Sequence, residues 1–159
     1  MVKSNSKGYT LIEILVVASI IVVLSGTSLA IFSSYRDDKT LGNQVTLLTG
    51  VLELAKNKAT AGDVSLCGNN PTPYVNGYTV TVDDTNLTLL PGCTTTSPTP
   101  INYPIPTNII VPTFTLRFDG QNYQGGTRRF SIKNTTTNKC KFVQIDETGV
   151  VTNGDIACP

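Results

Sequence analysis

From Ile14 to Tyr35 the chain runs for 22 residues without a charged side chain. A helix of that length rises about 33 Å, enough to cross the hydrocarbon core of a bilayer. Lys3 and Lys7 precede the run and Arg36 closes it. Basic residues on the N-terminal flank keep that end in the cytoplasm, so everything after Arg36 is expected outside. One residue does not suit a plain anchor. Glu13 sits where the apolar run begins, and a carboxylate at the edge of a membrane segment is costly enough to imply a function.

An ordinary secretory signal peptide is cut after its apolar run. Ser25-Gly26-Thr27-Ser28-Leu29-Ala30 offers such a site, but that reading leaves Glu13 unexplained. A plain single-pass anchored or signal-cleaved exported protein is the simplest alternative, and for it Glu13 and Gly8 are dispensable.

The stretch Lys7-Gly8-Tyr9-Thr10-Leu11-Ile12-Glu13-Ile14-Leu15-Val16-Val17 resembles the cleavage and methylation motif of type IV prepilins and type II secretion pseudopilins. The resemblance covers about the first 30 residues. It implies a leader, residues 1–8, removed by a prepilin peptidase between Gly8 and Tyr9, with N-methylation of Tyr9. It implies that the apolar helix stays and becomes both membrane anchor and filament core. Glu13 is then expected to meet the N-terminal amine of a neighbouring subunit and set the axial register. Such a pairing neutralises two charges in an apolar setting, where a lone charge is expensive. Gly8, without a side chain, lets the backbone extend into a protease cleft.

Two features depart from the commoner family pattern. Tyr9 stands for the more frequent Phe and keeps the ring. No proline interrupts the second half of the anchor, where Ser25-Gly26-Thr27-Ser28 weakens the helix instead. The partners implied are other pilin or pseudopilin subunits, prepilin peptidase, the membrane and the inner-membrane assembly machinery. The implied location is a single-pass inner-membrane protein with its C-terminal domain outside the cytoplasm, and then an extracellular or periplasmic filament.

Beyond the anchor the apolar period persists. Leu41, Val45, Leu48, Leu52, Ala55 and Ala59 are spaced 4, 3, 4, 3, 4 and form a stripe on one helix face. Gly62 suits a C-cap. One helix over about 9–61 follows: an anchor over 9–35 and an amphipathic continuation over 36–62. From residue 63 the period becomes two, giving a β-rich domain over 63–159. Tyr78–Val82 and Asn86–Leu90 read as a hairpin turned at Asp83-Asp84-Thr85. Thr113–Phe118, Arg128–Lys133, Lys141–Asp146 and Val150–Thr152 read as further strands. Residues 91–112 hold six prolines and read as an irregular surface loop. The fold class is α+β and pilin-like: one long N-terminal helix packed on a small antiparallel sheet. Leu116–Gly120 and Val143–Val151 also resemble, more weakly, the minor pilin and pseudopilin subfamily called GspH/FimT.

Cys67, Cys93, Cys140 and Cys158 show no CxxC spacing, which argues against zinc or thioredoxin chemistry. An even number in an exported domain points to two disulfides. Three pairings are open; Cys67–Cys93 with Cys140–Cys158 closes the shortest loops. A Cys140–Cys158 loop would also resemble the disulfide-bounded region of many major pilins. The chain has no His, so the commonest metal ligand and general base is missing. No nucleophile–base pair, phosphate-binding glycine loop or calcium spacing is present. The expectation is neither an enzyme nor a holder of a metal or cofactor, but a substrate of one enzyme.

Arg117, Arg128, Arg129, Lys133, Lys139 and Lys141 form a basic run opposed only by Asp119. On one sheet face they would bind phosphates, as competence-type pilins are thought to do with DNA, with Phe130 and Tyr123 stacking on bases. The ordinary alternative is a solvated sheet face. A minor tip subunit binding DNA or a surface is therefore carried as the second functional class. Asn86-Leu87-Thr88 and Asn134-Thr135-Thr136 match the N-glycosylation pattern, and Thr94–Pro100 has an O-glycosylation-like composition; polar turns account for all three equally.

Overall fold

The computed structural model describes residues 9–68, 75–94, 98–120, 122–123 and 125–158, without the side chains of 26–31 and Asn122. The leader 1–8 with Gly8, and residues 95–97 of the Thr94–Pro100 stretch, lie outside that set, as do the side chains of the Gly26–Ser28 weak point. The chain forms two compact units, Met1–Arg36 and Asp37–Pro159. The helix α1, Leu11–Ala61, contributes to both.

In the first unit α1 is clothed in exposed apolar side chains, among them Leu11, Ile14, Val17, Ile21 and Leu24. Two of its hydroxyls bond back to the helix. Ser19 Oγ donates to the Val16 carbonyl at 2.8 Å and Ser25 Oγ to the Ile21 carbonyl at 2.7 Å, leaving an apolar exterior. Among the described residues no helix is long and apolar enough to cross a membrane. The helix runs without a break through the expected anchor, about 37 Å from Leu11 to Tyr35, with the side chains of 26–31 outside the described set.

In the second unit the expected stripe is the buried face of the helix. Leu41, Val45, Leu48, Leu52, Ala55 and Ala59 are all buried, joined by Val51. The helix ends in a Schellman motif. Gly62 takes φ +62°, its N–H reaches the Ala59 carbonyl at 3.2 Å, and the Asp63 N–H reaches the Lys58 carbonyl at 3.0 Å.

Among the described residues nine strands follow: β1 Val75–Val82, β2 Asn86–Cys93, β3 Ile101–Pro104, β4 Ile109–Ile110, β5 Phe114–Asp119, β6 Asn122–Tyr123, β7 Arg128–Asn134, β8 Lys139–Ile145 and β9 Val151–Ile156. They make two antiparallel sheets rather than the single one expected. One has the order β3-β2-β1-β5-β6 and the other β4-β7-β8-β9. Tyr78, Val80, Val82, Leu87, Leu89, Leu116 and Phe118 from the first sheet and Phe130, Ile132, Val143 and Ile145 from the second join the helix stripe in one core.

The β1–β2 hairpin turns where expected. Asp83 Oδ1 accepts from the Thr85 and Asn86 N–H groups at 2.8 and 2.7 Å, which bends the chain through a side chain rather than a glycine. Gly77, at φ +81°, forms the bulge between Val75 and Tyr78. A Cβ there would lie 2.3 Å from the Phe118 carbonyl oxygen, so no other residue fits.

Residues 91–112 are not an irregular loop. β2 runs on through Pro91 to Cys93, and β3 and β4 lie within the stretch. Their prolines sit where a missing N–H costs least: Pro104 on an edge strand, and Pro91 beyond Leu89, the last residue of β2 paired with β3. The disulfides pair Cys67 with Cys93 and Cys140 with Cys158, at Cα separations of 5.6 and 5.1 Å. The first ties the segment after α1 to the end of β2. The second ties the chain beyond β9 to β8, and β9 continues to Ile156 rather than ending at Thr152.

Candidate functional site

The start of α1 is built by local chemistry. Thr10 is its N-cap: the Glu13 N–H reaches the Thr10 carbonyl at 3.1 Å and Thr10 Oγ1 at 3.3 Å. Thr10-Leu11-Ile12-Glu13 has the spacing of a capping box, with the acid at the third helical position. An acidic residue in the first turn suits the positive end of the helix dipole. Thr10 is the residue that the sequence reading missed; the T-x-x-E spacing was the available sign.

Tyr9 is 80 % exposed, and Glu13 is also exposed. With Ile14, Val17, Ala18 and Ile21 they line a shallow groove along the helix, polar at its N-terminal end and apolar beyond. That surface suits another apolar helix carrying a cation at the matching level. Apolar side chains exposed in such number mark a membrane or protein contact rather than a solvated surface.

This end of the chain also answers a family model. Residues 3–33 match the one described as the prokaryotic N-terminal methylation motif. The chain carries a prokaryotic N-terminal methylation motif. The motif is consistent with the type IV prepilin and pseudopilin family and with a membrane-anchored, pilin-like substrate of a prepilin peptidase. The match ends at residue 33, before the weaker resemblance at Leu116–Gly120 and Val143–Val151 begins. No curated protein and no solved structure gives a significant match to the chain.

The basic run expected to contact phosphates is divided between the two sheets, and only part of it shares a face. Arg117 lies on β5 of the first sheet, where its Nε donates to Asp119 Oδ1 and an Nη to the Asn76 carbonyl, both at 2.8 Å. Arg128, Arg129 and Lys133 lie on β7 of the second sheet. Arg128 opens that strand near Tyr123, whose hydroxyl pKa is pushed up by burial, with Arg128 opposing. Arg129 and Lys133 share the outer face. Lys139 pairs with Asp38 and Lys141 with Asp155. Phe130 and Tyr123 are each only 8 % exposed, and Phe130 stacks on Phe114 at 3.8 Å between centroids. Neither ring is open to a base: alternation along β7 turned Phe130 inward together with Ile132.

The two glycosylation patterns also part. Asn134 is fully buried; its Nδ2 donates to the Asp37 carbonyl at 2.9 Å, and its Oδ1 accepts from the Thr136 and Thr137 N–H groups at 2.8 and 3.1 Å. Its amide is consumed by the turn. Asn86 is partly exposed, with Nδ2 on Thr85 Oγ1 at 2.8 Å. A cavity of about 590 Å³ beside the Cys140–Cys158 bridge is walled by Asp38, Lys139, Lys141 and Asp155. Those charges close into the two ion pairs above. No cluster among the described residues has the make-up of a metal site.

Proposed function

We propose that the chain is a structural subunit, major or minor, of a type IV pilus or type II secretion-like filament. Prepilin peptidase cuts between Gly8 and Tyr9 and methylates Tyr9. The mature chain waits in the inner membrane on its N-terminal helix, and assembly machinery then transfers that helix into a filament core. Apolar surface that faced lipid is covered again by neighbouring helices, which offsets the cost of leaving the bilayer. Glu13 pairs with a neighbour's N-terminal amine and sets the register. In this reading the chain is a substrate of the peptidase and has no catalytic role of its own.

The observation that carries the proposal is one coincidence. The methylation motif over 3–33 coincides with an exposed apolar helix whose first turn presents Glu13. The test is the N-terminal mass of the protein recovered from membranes containing prepilin peptidase. A chain starting at methylated Tyr9 is the expected result. An uncut chain, or a start beyond residue 25, overturns the proposal in favour of an ordinary anchored or secreted domain.

A further inference from the structure

Several basic residues of the second unit are held by partners. Lys58, Arg117, Lys139 and Lys141 are each held by a carboxylate, and Lys56 Nζ donates to the Thr148 and Gly149 carbonyls at 3.1 and 3.0 Å. Arg129 and Lys133 join no ion pair among the described residues, and they lie on the same face of β7. Directly paired residues of an antiparallel sheet share a face. The register sets Arg129 beside Gln144 and Thr152, Ser131 beside Phe142 and Gly154, and Lys133 beside Cys140 and Ile156. No carboxylate stands in these three rows.

Arg129 is held in place. Its guanidinium carbon lies 4.0 Å from the centroid of the Phe142 ring, and Nε donates to Gln144 Oε1 at 3.1 Å. Phe142 in turn rests on Gly154, where a Cβ would come within 2.9 Å of the ring. A glycine in β9 thus seats a ring, and the ring seats a guanidinium. With Nε committed to Gln144, the planar Nη end is oriented before any ligand arrives, which lowers the entropic cost of binding an oxyanion. Lys133 stands four residues along the strand, about 13 Å away, with the hydroxyl of Ser131 between.

We propose that this face binds an acidic polysaccharide, with Arg129 and Lys133 on its carboxylates and Ser131, Gln144 and Thr152 on its hydroxyls. Charge complementarity selects an anion. Around Arg129 the neighbours are uncharged hydrogen-bonding groups, Ser131, Gln144 and Thr152, which suits sugar hydroxyls, while Lys133 stands among Cys140, Ile156 and Ile110. Phe142 is covered by Arg129 on one side and Gly154 on the other, and Phe130 is buried, so no ring of this face is open to a nucleobase. Two cations are also few beside the 6–10 phosphate contacts typical of a duplex binder, at roughly one cation per phosphate.

The test uses the full chain in detergent micelles and labelled oligogalacturonate, a linear uronate. Wild type is expected to bind saturably and to lose binding to the fully methyl-esterified, neutral glycan. Arg129→Gln and Lys133→Gln are each expected to weaken binding at least about tenfold, the loss of one charge-assisted contact. Arg117→Gln, the same charge change on the other sheet, is expected to stay within about twofold. Gly154→Val, which alters no charge but unseats Phe142, is expected to weaken binding too. Lys133→Gln keeps the test open should Arg129→Gln or Gly154→Val fail to fold. Absence of saturable binding by wild type, wild-type affinity in the two β7 variants, or tighter binding of a DNA duplex that the same substitutions abolish would each overturn the proposal. Uncut and cut chains should bind alike, so failure of the filament reading leaves this result standing.

Discussion

Replacing Asn134 with alanine should be among the most damaging single changes in the second unit that leave the apolar core untouched. The side chain is 0 % exposed and makes three hydrogen bonds: one to the Asp37 carbonyl and one from each of the Thr136 and Thr137 N–H groups. Each bond is worth about 1 kcal/mol net, and buried groups left without partners cost as much again when water cannot reach them. Thr136 is exposed and its N–H can turn to water, so the expected loss is about 3 kcal/mol rather than the larger sum. For a unit of this size that corresponds to a fall in melting temperature of roughly 10–15 °C. Thermal unfolding of the full chain in detergent, followed by near-ultraviolet circular dichroism, measures it. Asn134→Asp keeps the two acceptor bonds, loses the donor, and should fall between the two. A drop of less than about 3 °C in the alanine variant would show that the turn does not rest on this amide, and the reasoning would fail. Intact mass should meanwhile show no glycan at Asn134, because its amide nitrogen is committed to Asp37.

Two further predictions concern stability. Asp63 is held down to about 2 from 3.8, first by the Lys58 ammonium and then by the Ser65 N–H. A carboxyl with a depressed folded pKa stabilises above its unfolded value and loses that contribution as pH falls through the folded one. Between about pH 4 and pH 2 the wild type should therefore lose about 1 kcal/mol more than Lys58→Met, a figure already reduced for solvent screening of a partly exposed pair. Parallel urea titrations at the two pH values check it, and equal losses would remove the ion pair from the account. The Cys140–Cys158 bridge spans 18 residues and ties the chain beyond β9 to β8. Converting both cysteines to serine should cost about 3 kcal/mol and expose the segment after Val150 to protease first; an unchanged urea midpoint would contradict this.

Much of the architecture could be read from local pattern because it is decided locally. The helix stripe from Leu41 to Ala59, its end at Gly62 and the Asp83 turn each depend on side chains a few residues apart. Methylation-motif residues are legible for the same reason: Gly8, Tyr9 and Glu13 belong to one contiguous stretch. What escaped was settled by distant partners. β3 and β4 were hidden by prolines that an edge strand tolerates, and sequence alone does not say which strand will be an edge. Division into two sheets followed from β5 pairing with β1 across 31 intervening residues while β7 paired with β8.

The basic run shows the same boundary. Composition marked six cations between Arg117 and Lys141, but charge along a chain has no face until strands are paired. Pairing sent Arg117 to one sheet, gave Lys139 and Lys141 their carboxylates, and turned Phe130 inward. It left Arg129 seated on Phe142, over a glycine that no local pattern connects to either. A contiguous motif and a helical period need only neighbours in sequence, and the chain states them outright. A shared surface needs residues from three strands in register, and only the folded sheet supplies that.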